Sequence, residues 1–244
     1  MKVLGIECTA SPVSVSLLED GKLKAEYFLN LKTTHSQTLL PMVESVLKMS
    51  GLTMKDVDAI AATVGPGSFT GVRIGISAVK GLAAAYNTPT VPVSVLEAMA
   101  CNFLGQEVIV CACMDARCSQ VYNALFSVSG DKITRLCEDR ALMIDEVYED
   151  LKQRQAEFNG KSIIIVGDGA DLFYNSVKDR DVTVMLAPEH LKYQRAFGVS
   201  YVGYNKALNN ETVLANELLP LYLRLPQAER ELKAKQEAKC SERK

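Results

Sequence analysis

Histidine is scarce in this chain, with only His35 and His190 among 244 residues. That scarcity excludes a histidine-rich metal centre, and neither H-x-x-x-H nor H-E-x-x-H occurs. The G-x-S-x-G elbow of acyl-transfer enzymes is also missing. Positive charge is not in surplus: 27 Lys and Arg against 29 Asp and Glu leave a net charge of −2. A sequence-independent grip on nucleic acid needs concentrated cations, so it is not expected. There is no run of about 18 or more apolar residues to span a bilayer, and no basic-apolar-small leader opens the chain. A soluble, cytoplasmic protein without a membrane is expected. Seven cysteines, an odd number, exclude a simple disulfide framework in that setting. Cys111 and Cys113 fall on one face of an apolar strand. Neither Cys118 nor Cys137 completes a zinc site with them, so they read as small buried hydrophobes.

What remains is an ordinary globular composition, 48% apolar and 23% charged, with a clear rhythm. The opening reads as three strands, "VLGIEC", "VSVSLL" and "KLKAEYFL", the last two joined by the hairpin signal "EDG". A helix over 35–49 follows, with Thr34 as its N-cap and apolar residues at helical spacing. The strand "VDAIAATV" is apolar at nearly every position, as expected where helices cover both faces. A glycine loop and a helix over 72–86 come next. From about residue 105 the order β-β-β-α-β-α starts again, with "ITRLCEDRAL" as one strand and "SIIIVG" as another. The expected architecture is α/β, two similar lobes (1–104 and 105–226) facing across a cleft, with a charged tail at 227–244.

The stretch "TVGPGSFTGVRIG" carries two readings. Gly65 and Gly67 permit positive φ, and the helix beginning near Gly71 offers amides and a positive dipole end, with Ser68 and Thr70 as hydroxyl donors. Those features suit an anion or nucleotide. Thr70 nevertheless stands where a dinucleotide fingerprint wants glycine, and no Gly-Lys-Ser/Thr is present. The other reading is a strand-to-helix turn whose glycines serve close packing. The helix after it, "VRIGISAVKGLAAAY", has only a narrow polar stripe of Arg73, Ser77 and Lys80 before its end. Small residues at 71, 75 and 78 leave room for a second helix, and Met42 and Met49 add apolar surface on the preceding helix. Either the second lobe covers this surface or a protein partner does.

The catalytic inventory is thin. Glu7 leads into the hydroxyl-bearing turn Cys8-Thr9-Ala10-Ser11, either a polar hairpin or an approach to phosphate or magnesium. Asp115-Ala116-Arg117 is an ion pair bracing a turn or a pair facing the cleft. Gly167-Asp168-Gly169-Ala170 repeats the strand-glycine-helix arrangement. None of these is a convincing acid, base or nucleophile.

Together "GIECTASPVSVSLLEDG", "THSQTLLPMVESVL", "GPGSFTGVRIGISAVKGLA", "VPVSVLEAMA", "MDARCSQVY", "GDGA" and "LPLYLRLPQAE" resemble the TsaB family, non-catalytic paralogues of the tRNA threonylcarbamoyladenosine transferase TsaD. The resemblance spans nearly the whole chain. It implies a two-lobed actin/Hsp70/sugar-kinase-like (ribonuclease H-like) fold and a scaffold rather than an enzyme. TsaD holds a metal through two histidines in a pattern like "NHLEGH"; the matching "SVLEAM" places Val95 and Met99 at those positions, and neither can act as an imidazole ligand. The resemblance further implies docking with TsaD, or with a second copy when alone, through 35–49 and 72–86. The contacts assigned are Leu39, Met42, Val43, Val46, Val72, Ile76, Val79 and Ala83. The ATPase TsaE is a second implied partner, with tRNA reached only through the complex. No cofactor is required, and weak ATP or ADP binding is placed at Glu7, Thr9, Gly65, Gly67, Ser68, Thr70 and Gly71. The competing readings are a kinase-like enzyme using the cleft and a metallopeptidase.

Overall fold

The computed structural model describes residues 1–31 and 34–224. The chain opens with β1 (Lys2–Glu7), β2 (Val13–Glu19) and β3 (Lys22–Leu29), then α1 (His35–Met49), β4 (Ala59–Gly65), α2 (Phe69–Ala84), β5 (Thr90–Ser94) and α3 (Val95–Ala100). The second half runs β6 (Gln106–Asp115), β7 (Gln120–Gly130), β8 (Lys132–Arg135), β9 (Arg140–Met143), α4 (Ile144–Gln153), β10 (Ser162–Val166), α5 (Ala170–Val177), β11 (Val184–Leu186), α6 (Glu189–Lys192) and α7 (Ala196–Leu208). The first sheet has the order β3-β2-β1-β4-β5 and the second β8-β7-β6-β10-β11, with β9 also on β7. In both, an antiparallel meander passes into parallel strands at the same place. The doubled α/β expectation therefore holds, with five strands in the first sheet and six in the second where the short pattern counted four in each.

Local chemistry explains several elements. Asp20 and Gly21 both take positive φ, 51° and 74°, as a two-residue hairpin with the right twist requires. The expected strand over 133–142 is instead β8 and β9, which pair with β7 one after the other. Between them the Leu125 N–H, which a continuous ladder would use, donates to the Cys137 sulfur (3.2 Å). Thr34 does stand at the α1 N-cap, but its side chain makes no capping bond.

The lobe boundary needs correction. α7 lies within the span expected to be the second lobe, yet it packs across β1, β2 and β4 of the first sheet. Val199 and Val202 share a core with Val3, Leu18, Ala61 and Val91. The Ser16 hydroxyl bonds both Ala196 O (2.7 Å) and Ser200 Oγ (2.8 Å). Residues beyond α7 also return to the first lobe: Val213 pairs with Thr90, and Leu218 is fully buried in the core under α1 and α2. The physical reason is that the first sheet has two apolar faces. α1 and α2 cover only one of them, and α7 supplies the other. The expected charged tail at 227–244 lies outside the described residues.

The lobes meet along α3, whose Val95, Leu96 and Met99 sit in a core with Val110, Ala112 and Phe126 of the second sheet. Polar contacts reinforce the seam: Arg135 pairs with Glu97 (3.2 Å) and Asp139 (2.6 Å), and Ser94 Oγ donates to Asp139 (2.5 Å).

Candidate functional site

Two concave regions flank α2. The outer one is a groove of about 620 Å³ between α1 and α2, lined by Ser36, Leu39, Leu40, Thr70, Arg73, Ile74, Ser77 and Ala78. Leu40 is 49% exposed at its edge, and Met49, at the end of α1, is 79% exposed. The eight residues assigned to docking are placed differently. Leu39, Met42, Val43, Val46, Val72, Ile76, Val79 and Ala83 are all buried in the first lobe's own core, with Leu39 alone reaching the groove floor. The strongest apolar stripe of each helix turns to the sheet, because that contact removes the most apolar surface from water. The outward surface is the weaker second stripe.

Close packing also accounts for most of the glycine loop. A Cβ on Gly71 would lie 2.1 Å from Cys8 O, and one on Gly75 would lie 2.6 Å from Cys8 Sγ. Gly71 and Gly75 thus admit the end of β1 rather than a partner helix, while Ala78 lines the outer groove. Gly67 takes φ 154°, with Thr9 O only 2.5 Å from a Cβ there, and Gly65 lies as closely against Leu221 O, at 2.6 Å. The loop is fastened down by Ser68 N–H to Thr9 O (2.7 Å) and by the Cys8 thiol to Gly71 O (3.1 Å). Ser68 Oγ accepts from Gly71 N–H (3.2 Å), and this cap starts α2 at Phe69, three residues before the expected start at 72.

The inner region is a cleft between the lobes, about 470 Å³, lined by Thr9, Ala10, Ser11, Gly67, Ser68, Phe69, Met114, Asp115, Ala116, Arg117, Tyr122 and Asp168. Of the seven residues expected to hold an anion or nucleotide, Thr9, Gly67 and Ser68 line it. Thr70 faces the groove instead, while Gly65 and Gly71 are spent on packing. Glu7 is fully buried at the end of β1. Its Oε1 accepts from Thr9 N (2.6 Å) and Thr9 Oγ1 (2.5 Å), and Oε2 is buried without a partner. Burial raises the Glu7 carboxyl to about 7 against the opposing Thr9 hydrogen bonds, with a smaller push from Asp168. Asp168 is likewise raised to about 6 by burial, partly offset by bonds from Gln194 and the Asp115 N–H.

Asp115 and Arg117 both line the cleft, and the turn between them is braced by the Arg117 N–H on Asp115 Oδ1 (2.7 Å). The reading of Asp115-Ala116-Arg117 as a pair facing the cleft thus holds, although the seven residues assigned to an anion left this second-lobe wall out. Its signal was the repeated strand-glycine-helix pattern at 167–170, which places Asp168 opposite Thr9. The cleft lining presents Asp115 and Asp168 against Arg117, and a second guanidinium, Arg224, reaches the Ala116 carbonyl of the same wall, so no surplus of positive charge awaits a polyphosphate.

Metal chemistry finds no donor set. Val95 and Met99 are fully buried in the seam, and among the described residues no group of three or more His, Cys, Asp or Glu is arranged to hold an ion. His35 opens α1, while exposed His190 sits on α6, in the other half of the chain. Cys111 and Cys113 do share a face, with sulfurs 3.6 Å apart and the Asn123 amide donating to both. Burial pushes the Cys113 thiol up, as for inert interior cysteine. Among the described residues no helix is long and apolar enough to cross a membrane.

Comparison with known proteins agrees over nearly the whole length. A family model described as TsaD, tRNA N6-adenosine threonylcarbamoyltransferase, matches residues 28–232. The tRNA threonylcarbamoyladenosine biosynthesis protein TsaB of Escherichia coli is 31% identical, over 92% of this chain and 95% of its own length. The Bacillus subtilis protein of the same name is 29% identical, over 94% and 96%. The solved structure of YeaZ from Pseudomonas aeruginosa superposes with a TM-score of 0.76 at 29% identity, covering 91% of this chain and 99% of that one.

Proposed function

The chain belongs to the TsaB family, and on that footing we propose that it is the non-catalytic subunit of the machinery that makes threonylcarbamoyladenosine in tRNA. In this reading it docks TsaD through the outward faces of α1 and α2, works with the ATPase TsaE in the cytoplasm, and self-associates when TsaD is absent. tRNA is reached through the complex. The observation that carries the reading is the α1/α2 groove, where Leu40 is exposed and Ile74 and Ala78 stay half-buried at the edge of the first core. The apolar Val95 and Met99 add support, since they leave this chain without the imidazoles its transferase paralogue uses. ATP or ADP binds the cleft weakly, because the lining has no surplus of positive charge and the glycine loop is filled by Thr9 and Cys8.

The test is tRNA modification by TsaD with and without this chain, together with the Ile74→Glu variant. Ile74 lines the groove and is half-buried against the first core, so the variant places a charge in the joint, and circular dichroism of the isolated variant separates lost docking from lost folding. Docking should weaken by about 3 kcal/mol or more, and modification should fall with it. Unchanged affinity for TsaD in calorimetry would refute the assigned face, and ATP turnover by the isolated chain would favour the kinase-like alternative.

A further inference from the structure

The segment after α7 does more than close the first core. Leu221 N–H donates to Val64 O beside the glycine loop (2.8 Å), and Arg224 donates to Ala116 O, in the far wall of the cleft. Between them the Tyr222 ring stacks on Phe69 with centroids 4.7 Å apart and planes 26° apart. Phe69 lines the cleft. Arg73, one turn further along α2, donates from Nε to the Tyr222 hydroxyl (2.8 Å) and holds its guanidinium 5.6 Å from the ring centre. Arg73 also lines the docking groove, as its one charged side chain among the described residues. A single contact pair thus touches both concave regions.

We propose that Arg73 and Tyr222 couple the two: an acidic group brought into the groove by the docked partner takes the Arg73 guanidinium, and strap residues 219–224 are released from the cleft. This rests on the groove being the docking face. A carboxylate is gripped best by two parallel N–H groups. A grip along the Nε edge displaces the tyrosine hydroxyl, which is the weaker, neutral acceptor. Tyr222 then keeps only its ring contact with Phe69, and the strap's hold on Val64 and Ala116 loosens with it. Docking can shift this equilibrium because the partner interacts differently with the two strap positions.

Hydrogen–deuterium exchange on the full chain tests this in two arms. In the isolated protein, Arg73→Ala should speed exchange in the 219–224 peptide about fivefold or more, and the 115–120 turn should follow. Tyr222→Phe, which keeps the ring and removes only the hydroxyl, should do the same. In the second arm, adding TsaD to the unaltered chain should produce the same acceleration, with none added in Arg73→Ala. Exchange in either variant indistinguishable from the unaltered chain overturns the coupling, as does TsaD binding that leaves the strap protected. A 115–120 turn that stays unchanged while the strap loosens also overturns it. If TsaD does not bind at α1/α2, the docking reading falls, while the isolated-chain arm still decides the role of Arg73.

Discussion

Glu7 makes the stability of this protein depend on pH in a direction opposite to that of an ion-paired carboxylate. The side chain is fully buried, one oxygen accepts both bonds from Thr9, and the other has no partner. Its carboxyl stands at about 7 against an ordinary 4.5. In the unfolded chain it ionises near 4.5, whereas the folded protein keeps the proton until about 7. The folded state therefore binds more protons across this window, and stability falls as pH rises through it. The interval corresponds to about 3 kcal/mol, fully lost only above pH 7 to 8. Asp168, raised to about 6 from 3.8, acts with the same sign. The variant Glu7→Gln removes the first contribution. Gln accepts from Thr9 as before but leaves its own amide N–H groups poorly paired, at a pH-independent cost of about 1–3 kcal/mol. The diagnostic is therefore how the difference changes with pH. Urea unfolding followed by circular dichroism at pH 5, 7 and 9 should show Glu7→Gln gaining about 3 kcal/mol relative to the unaltered protein between the ends of the range. A difference that stays constant within about 1 kcal/mol would mean that Glu7 is ionised in the folded protein, and the account of its burial would be wrong.

Two further substitutions probe how the site is built. Gly71→Ala puts a Cβ 2.1 Å from Cys8 O, a backbone atom that cannot step aside. It should cost about 2 kcal/mol or more in chemical denaturation, and near-neutral behaviour would show that the loop is not wedged on β1. Leu218→Ala deletes a fully buried side chain, immediately before the strap, from the first lobe's core. It should cost about 2–5 kcal/mol, and a loss below about 1 kcal/mol would detach the strap from that core.

What was legible in the sequence was local or strongly periodic. Asp20-Gly21 specifies its hairpin through backbone preference alone, and the repeated strand-glycine-helix pattern marks both sides of the cleft. α7 was not legible in this way. Its residues "AFGVSYVGYNKAL" are apolar on most sides, so periodicity could not say which sheet they cover; the uncovered face of the first sheet decides. The strap was hidden for the same reason, since the placement of Tyr222 depends on Arg73, 149 positions earlier in the chain.

The docking residues show a subtler failure. The contacts assigned on the family resemblance, Leu39, Met42, Val43, Val46, Val72, Ile76, Val79 and Ala83, belong to the strongest apolar stripe of each helix. In a helix lying on a sheet, that stripe is the one already satisfied within the chain. A surface left for another protein has to be read from what remains after the core has taken its share. On α1 and α2 that residue is Leu40, Ile74 and Ala78 with Arg73 among them. Such a face is less apolar than a core and carries a charge, as a separable interface should, because each partner must also exist in water before they meet. The second-best stripe is therefore the better place to look for a partner, and the single arginine on it is the group most able to report that one has arrived.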